Sequence, residues 1–166
     1  MFSGKTSYAV SYCQANKALA VKPLQDNRYS DKAEISTHDK KTFPCIVWDA
    51  RVPLTPNRFM LQADCVVVDE AHFFTGLVVF CEYMIGIGID VVLVGLDGDA
   101  RREPFRELLD CIPLATSVTK LAALCAVCSQ SASYTRYTKI PEHRQGQIDV
   151  GGTETYQSVC LRHFAR

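Results

Sequence analysis

The 166-residue sequence carries no surplus of either charge: 18 Lys and Arg are matched by 18 Asp and Glu, a formal net charge of zero. A protein living on phosphate-backbone contacts needs a basic excess, so non-specific nucleic-acid binding is disfavoured. A locally positive cleft for a small phosphorylated ligand remains compatible with overall neutrality. No apolar run is long enough to cross a bilayer, and the opening Met1-Phe2-Ser3-Gly4-Lys5-Thr6 lacks the apolar core of a secretory signal. These absences place the chain in a reducing, cytoplasmic setting with no membrane partner. There its eight cysteines read as free thiols or metal ligands, not disulfides. Cys13, Cys45, Cys65, Cys81 and Cys111 each stand without a partner at chelating spacing and read as small core residues. Internal repeats and low-complexity tracts are also missing.

What is present is a core. Apolar residues make up 48% of the chain, enough to fold without staples. Cys65 to Asp69 and Asp90 to Leu96 are continuous, β-branched and non-alternating, as parallel strands covered on both faces require. Between them Leu77, Val78, Phe80, Cys81, Met84 and Ile85 include helical spacings, and Gly86 and Gly88 close that helix. Strand, helix, strand with short connectors is a crossover unit of an α/β sheet. Leu19 to Lys22 and Cys45 to Trp48 are further candidate strands, and Gly4 to about Asn16 a candidate helix. Asp26 to Lys41 is polar and without period, so it reads as a loop. Asp49 to Met60 looks irregular, with turn signals at Pro53 and Pro56-Asn57. Beyond about Lys120 the composition shifts to a cysteine pair and polar, glycine-containing stretches. The expected division is residues 1–120 for a nucleotide-binding α/β domain and 121–166 for a small lobe.

Gly4-Lys5-Thr6 matches the tail of the phosphate-binding pattern G-x-x-x-x-G-K-[ST]. In that pattern backbone amides and a helix N-terminus cradle phosphates, the lysine reaches the β- and γ-phosphates, and the hydroxyl holds Mg²⁺. The triplet alone is weak, but it opens a helix, and Asp69-Glu70 supplies carboxylates at a strand end, on the sheet edge where ligands bind. Asp69 is the candidate Mg²⁺ ligand, and Glu70 the candidate base for an attacking hydroxyl. Cys125-x-x-Cys128 and Cys160-x-x-His163 form two short chelating loops, the donor set of a closed, structural tetrahedral Zn²⁺. His143 is a less regular alternative to His163.

The strings Met1-Phe2-Ser3-Gly4-Lys5-Thr6, Asp26-Asn27-Arg28-Tyr29-Ser30, Thr37-His38-Asp39, Asp69-Glu70-Ala71-His72-Phe73-Phe74, Leu96-Asp97-Gly98 and Pro104-Phe105 occur in that order. Lys120-Leu121, Cys125-Ala126-Val127-Cys128 and Gly151-Gly152 with Tyr156-Gln157-Ser158-Val159-Cys160 follow. This series resembles the type II thymidine kinase family, which includes cytosolic cellular and poxvirus enzymes. The resemblance spans nearly the whole chain. It implies transfer of the ATP γ-phosphate to the 5′-hydroxyl of thymidine or deoxyuridine in deoxynucleotide salvage. The implied cofactors are ATP, Mg²⁺ and structural Zn²⁺. It also implies feedback binding of dTTP and a homodimer or homotetramer. By resemblance, Gly4, Lys5 and Thr6 fall on the phosphate loop. Asp26 and Arg28 fall on a D-x-R motif whose arginine manages phosphate charge. Glu70 falls on the general base. Phe73 and Phe105 fall on aromatic walls around the thymine, with Met1 and Leu96 nearby. Tyr156 falls on the residue stacking against the base from a lasso loop, and Val150, Gly151 and Gly152 on lasso backbone that reads the base edge.

Two departures stand out. His72 occupies a position where that family commonly has Gln, and Ala100 one that often carries an aromatic residue. Counting back from Gly4, the first glycine of the phosphate loop and its strand would fall before Met1, so the expected sheet lacks its first strand. This leaves a second reading, a catalytically inactive nucleotide- or nucleoside-binding relative. A zinc-ribbon nucleic-acid protein ranks below both, because the chain is neutral and has no aromatic-basic platform.

Overall fold

A computed structural model describes residues 1–26, 33–37, 39–139, 147 and 151–164. The chain opens with helix α1 (Lys5–Asn16), followed by strands β1 (Leu19–Pro23), β2 (Glu34–Ser36), β3 (Thr42–Trp48) and β4 (Cys65–Val68). Helix α2 (Leu77–Gly86), strand β5 (Asp90–Leu93) and the one-turn helix α3 (Arg106–Leu109) complete the larger part. Five strands form one sheet in the order β2-β3-β1-β4-β5. β1 pairs in parallel with both β3 and β4, and β4 with β5; β2 alone joins antiparallel, on β3. The expected mostly parallel α/β sheet is thus present, and α1 precedes all of its strands.

The β-branched run of β4 explains its central place. Val66, Val67 and Val68 are fully buried, and the pleat deals them to opposite faces. Val66 and Val68 pack with Val21, Leu77, Phe80 and Met84 beneath α2. Cys65 and Val67 pack with Ala9, Val10, Cys13 and Ala20 beneath α1. α2 buries Leu77, Phe80, Cys81 and Met84 at helical spacing. It ends at Gly86 with Ile87 as its cap, and Gly88 follows with a φ of 81° that suits glycine. There Gly88 N–H donates to Ile85 C=O at 3.0 Å and Ile89 N–H to Met84 C=O at 2.9 Å, closing the carbonyls a helix end leaves open.

At the other end of α2, Glu107 Oε2 accepts from the N–H groups of Gly76 and Leu77 at 3.1 and 3.3 Å. It is a cap supplied from α3, with its negative charge on the positive end of the helix. Glu107→Ala is expected to lower unfolding free energy by about 1 kcal/mol, read from urea melts. An unchanged midpoint would mean that water replaces the cap at no cost.

Two expectations need correction. Asp26 to Lys41 is not all loop, because β2 lies inside it, a three-residue edge strand that buries only Ile35. One buried residue between a glutamate and a serine leaves almost no periodic signal. The strand expected from Asp90 to Leu96 stops at Leu93. A Cβ on Gly95 would stand 2.8 Å from Leu108 Cδ2 and 3.2 Å from His72 N, so here the backbone turns to pack on the segment after β4. Asp49 to Met60 is irregular as expected, with a 3-10 turn only at Met60–Gln62, entered through Asn57 Oδ1, which accepts from Phe59 and Met60 N–H.

The C-terminal part is built from two short antiparallel pairs, β6 (Ala123–Leu124) with β7 (Ser131–Ala132) and β8 (Tyr134–Tyr137) with β9 (Tyr156–Val159), then α4 (Leu161–Phe164). Its core is small: Cys125, Ala132 and Val159 are buried, with Tyr134, Cys160 and Phe164 packed on them. No helix of the described residues is long and apolar enough to cross a membrane.

Candidate functional site

A cavity of about 470 Å³ opens where the N-terminus of α1 faces the carboxyl edge of the sheet. Its floor is Gly4, Lys5, Thr6 and Ser7, with Glu70 beside them. Gly4 takes a φ of 78° just before the helix, a left-handed turn that glycine adopts without strain. No acidic residue occupies the first turn of α1, so its open N–H groups and dipole are left for an anion.

Glu70 stands two residues past the end of β4 in a left-handed conformation of its own, φ 49° and ψ 43°. Such strain in a non-glycine residue is held in place only by its surroundings. Asp69 N–H donates to Val21 C=O at 2.9 Å and Ala71 N–H to Val94 C=O at 2.8 Å, so both flanks of Glu70 are fixed to neighbouring strands. The His72 ring lies between Phe73 and Phe105, at centroid distances of 4.8 and 4.7 Å. Its Nδ1 accepts from Leu96 N–H at 3.3 Å and stands 3.5 Å from Glu70 Oε2.

Asp69 is 4% exposed. Burial first, then the charges of Glu70 and Asp26, push its carboxyl up to about 7, against hydrogen bonds from the Glu70 backbone and the Thr6 side chain. Its Oδ1 is buried with no hydrogen-bond partner among the described residues. An orphaned carboxylate oxygen among Asp26, Glu70 and the Thr6 hydroxyl is the donor chemistry a hard cation takes. The group therefore fits Mg²⁺. The folded protein holds the Asp69 proton more tightly than the unfolded chain does. The stability this gives is full below the ordinary 3.8 and lost as pH rises through about 7. In chelator, the melting temperature of the wild type relative to Asp69→Asn is expected to fall across that window. Equal shifts in both proteins would remove Asp69 as the cause.

The upper walls come from several elements. Met1, Phe73, Leu96, Phe105, Gly151 and Tyr156 all line the cavity. Phe105 and Tyr156 are almost wholly buried. Gly152 does not line it, but its C=O accepts from Thr155 and Tyr156 N–H at 3.2 and 2.9 Å, making the turn that presents Tyr156. Asp26 does not line it, but its charge acts on Asp69. Arg28, Val150 and His143 lie outside the described residues. The structure adds Ser36, Thr135, Tyr137 and Thr153 to the lining, none of which carries a spacing signal in the sequence. Ala100, noted for its missing ring, lines the cavity too.

Away from the cavity, Cys125, Cys128, Cys160 and His163 converge, with one donor atom from each inside a span of 4.8 Å. Cys125 Sγ and Cys160 Sγ stand 3.6 and 3.3 Å from His163 Nδ1, and Cys128 Sγ stands 3.9 Å from Cys160 Sγ. A tetrahedron with Zn–S near 2.3 Å has S–S edges of about 3.8 Å. Burial raises the Cys125 thiol, but backbone hydrogen bonds from Cys160, Val127 and Cys128 outweigh it and take it down to about 6. The thiolate is the form a metal binds. The four donors fit Zn²⁺, with His163 presenting Nδ1.

The thymidine kinase family model matches residues 1–164. This chain belongs to the thymidine kinase family. It is 34% identical to the thymidine kinase of Yaba monkey tumor virus (strain VR587), over 96% of this chain and 87% of that protein. It is 34% identical to the cytosolic thymidine kinase of Cricetulus griseus, over 96% and 68% of the two chains. With the thymidine kinase of vaccinia virus (strain Ankara) the identity is 33%, over 99% and 92%. Within this chain Lys5 and Glu70 line a single chamber.

Proposed function

We propose that the chain is an ATP-dependent thymidine kinase, moving the γ-phosphoryl group of ATP to the 5′-hydroxyl of thymidine or deoxyuridine. The observation that carries this is the meeting of Lys5, Thr6 and Glu70 in one cavity whose far walls are Phe105, Phe73 and Tyr156. Lys5 and the α1 N-terminus hold the phosphates, and Arg28 of the Asp26-Asn27-Arg28 motif takes part in managing their charge. Asp69 and the Thr6 hydroxyl would hold Mg²⁺, which neutralises charge on the phosphate oxygens when bound. Glu70 takes the proton of the 5′-hydroxyl. The oxygen forms a bond to the γ-phosphorus, the bond from that phosphorus to the β–γ bridging oxygen breaks, and ADP leaves with the bridging oxygen. The base lies among Phe73, Phe105, Leu96 and Met1, with Tyr156 against it and the backbone of Gly151 at its edge.

In this reading residues 1–120 serve the nucleotide, and residues 121–166 are a lobe pinned by zinc at Cys125, Cys128, Cys160 and His163. Feedback binding of dTTP, cytoplasmic residence and a homodimer or homotetramer complete the proposal. α2 exposes Val79, Tyr83 and Ile85, and Ile87 just past its end is exposed too, apolar surface that suits self-association. The inactive-relative reading, which rests on the missing first glycine and strand of the phosphate loop, is not favoured, because the relatives this chain resembles along most of its length are thymidine kinases. The test is transfer from radiolabelled ATP to thymidine, deoxyuridine and deoxycytidine, with zinc measured on the same sample. Label in the thymidine and deoxyuridine monophosphates is expected. Nucleotide binding without transfer to any of the three would return the inactive reading.

A further inference from the structure

Strand β8 has two faces with different duties. Tyr134 packs on Phe164 at 5.6 Å and Arg136 donates to the His163 carbonyl, so this face holds the metal-binding end. Thr135 and Tyr137 point the other way and line the cavity, as strand alternation requires. Tyr137 lies directly across from Tyr156 in the β8–β9 register. Their rings meet at 4.9 Å with planes 37° apart. Just beyond them Thr138 N–H donates to Thr155 C=O at 2.9 Å, and Thr138 Oγ1 donates to Glu154 C=O at 2.6 Å. These contacts close the base of the segment joining β8 to β9.

We propose that Tyr137 is a positioning residue for the nucleoside, fixing the Tyr156 ring and closing the base of the loop that carries Gly151 and Thr153 to the cavity. This rests on the reading of Tyr156 as the ring against the base. A lone aromatic side chain at a strand end samples several rotamers, and a cross-strand ring removes that freedom before substrate arrives. The effect should appear in nucleoside binding and not in chemistry, since what Tyr137 fixes is the Tyr156 ring. It should also leave the metal in place, because the ligands are served by the opposite face of β8.

The experiment uses the zinc-loaded full chain and measures kcat, both KM values and zinc content for Tyr137→Leu, Tyr137→Phe, Tyr156→Leu and the Tyr137→Leu/Tyr156→Leu double variant. Tyr137→Leu is expected to raise the thymidine KM about three- to tenfold, with ATP KM, kcat and zinc content unchanged. Tyr137→Phe restores the wild-type KM because the ring, not the hydroxyl, does the positioning. In the double variant the effects do not add, since Tyr137 has nothing left to position. An unchanged thymidine KM in Tyr137→Leu, no rescue by Phe, or a joint loss of zinc and ATP affinity each overturns the proposal. A Tyr156→Leu variant with wild-type thymidine KM would instead remove the reading of Tyr156 on which it rests.

Discussion

Glu70→Gln is expected to lower kcat for thymidine phosphorylation by about a thousandfold, within the range that a positioned base contributes, while ATP affinity and thermal stability stay near wild type. Gln keeps the size of the side chain and one acceptor oxygen, so the strained turn after β4 is preserved. What it loses is the capacity to take a proton. Neither Asp69 nor His72, its neighbours among the described residues, offers a substitute. Asp69 is buried beneath the floor with its carboxyl pushed up to about 7, and the cation it would hold competes for the same oxygens. The His72 Nδ1 already accepts from Leu96 N–H, so this nitrogen is committed to the backbone. Removing a second carboxylate from beside Asp69 also relieves repulsion, which is why no loss of stability is expected. Residual turnover within tenfold of wild type would show that phosphoryl transfer here needs no base at this position. Collapse of the fold would show that Glu70 is structural.

The parts of this arrangement visible in the sequence are those in which one short string carries both fold and chemistry. Cys65 to Asp69 announces a doubly buried strand and ends in the carboxylates. Gly4-Lys5-Thr6 announces a helix start and an anion site together. Cys125, Cys128, Cys160 and His163 can be read by spacing alone, because chelation within a turn demands it. What stays hidden depends on distant pairing. Ser36 reaches the cavity only because β2 adds antiparallel to β3, a three-residue event supported by Ile35. Thr135 and Tyr137 face the cavity only because β8 pairs with β9 in a register set by residues some twenty positions later. Leu96 was placed in a strand that stops before it. Its role as a wall survives because Gly95 lets the backbone turn toward His72. The apolar density of α2 blurred its face in sequence, and the structure resolves it into buried Leu77, Phe80, Cys81 and Met84 with Val79 and Tyr83 left outside.

Removing the metal from the C-terminal lobe is expected to abolish measurable thymidine affinity while the sheet and its nucleotide floor stay folded. The lobe's own core is Cys125, Ala132 and Val159 with three partly buried neighbours, and so few side chains cannot offset the entropy of ordering four short strands and a helical turn. A structural zinc site contributes on the order of 10 kcal/mol in small domains, which is enough to decide whether such a lobe exists. The ligands sit where that energy is needed: Cys125 and Cys128 at the β6–β7 hairpin, Cys160 and His163 at the end of β9 and in α4. Tyr156 begins the same strand that Cys160 follows, so a β9 released from the metal takes the Tyr156 ring away from the cavity. α1, β1 and β4, which carry the floor, pack through clusters that share no residue with the lobe. Chelation should therefore release about one zinc per chain, raise the thymidine KM at least a hundredfold, and leave ATP binding and most of the far-ultraviolet circular dichroism intact. His163→Cys should keep the metal, since thiolate and imidazole are both ordinary zinc ligands, whereas His163→Ala should weaken it. A protein shown to be zinc-free that still binds thymidine with wild-type affinity would separate the lobe's order from its metal, and with it the idea that the cluster sets the position of Tyr156.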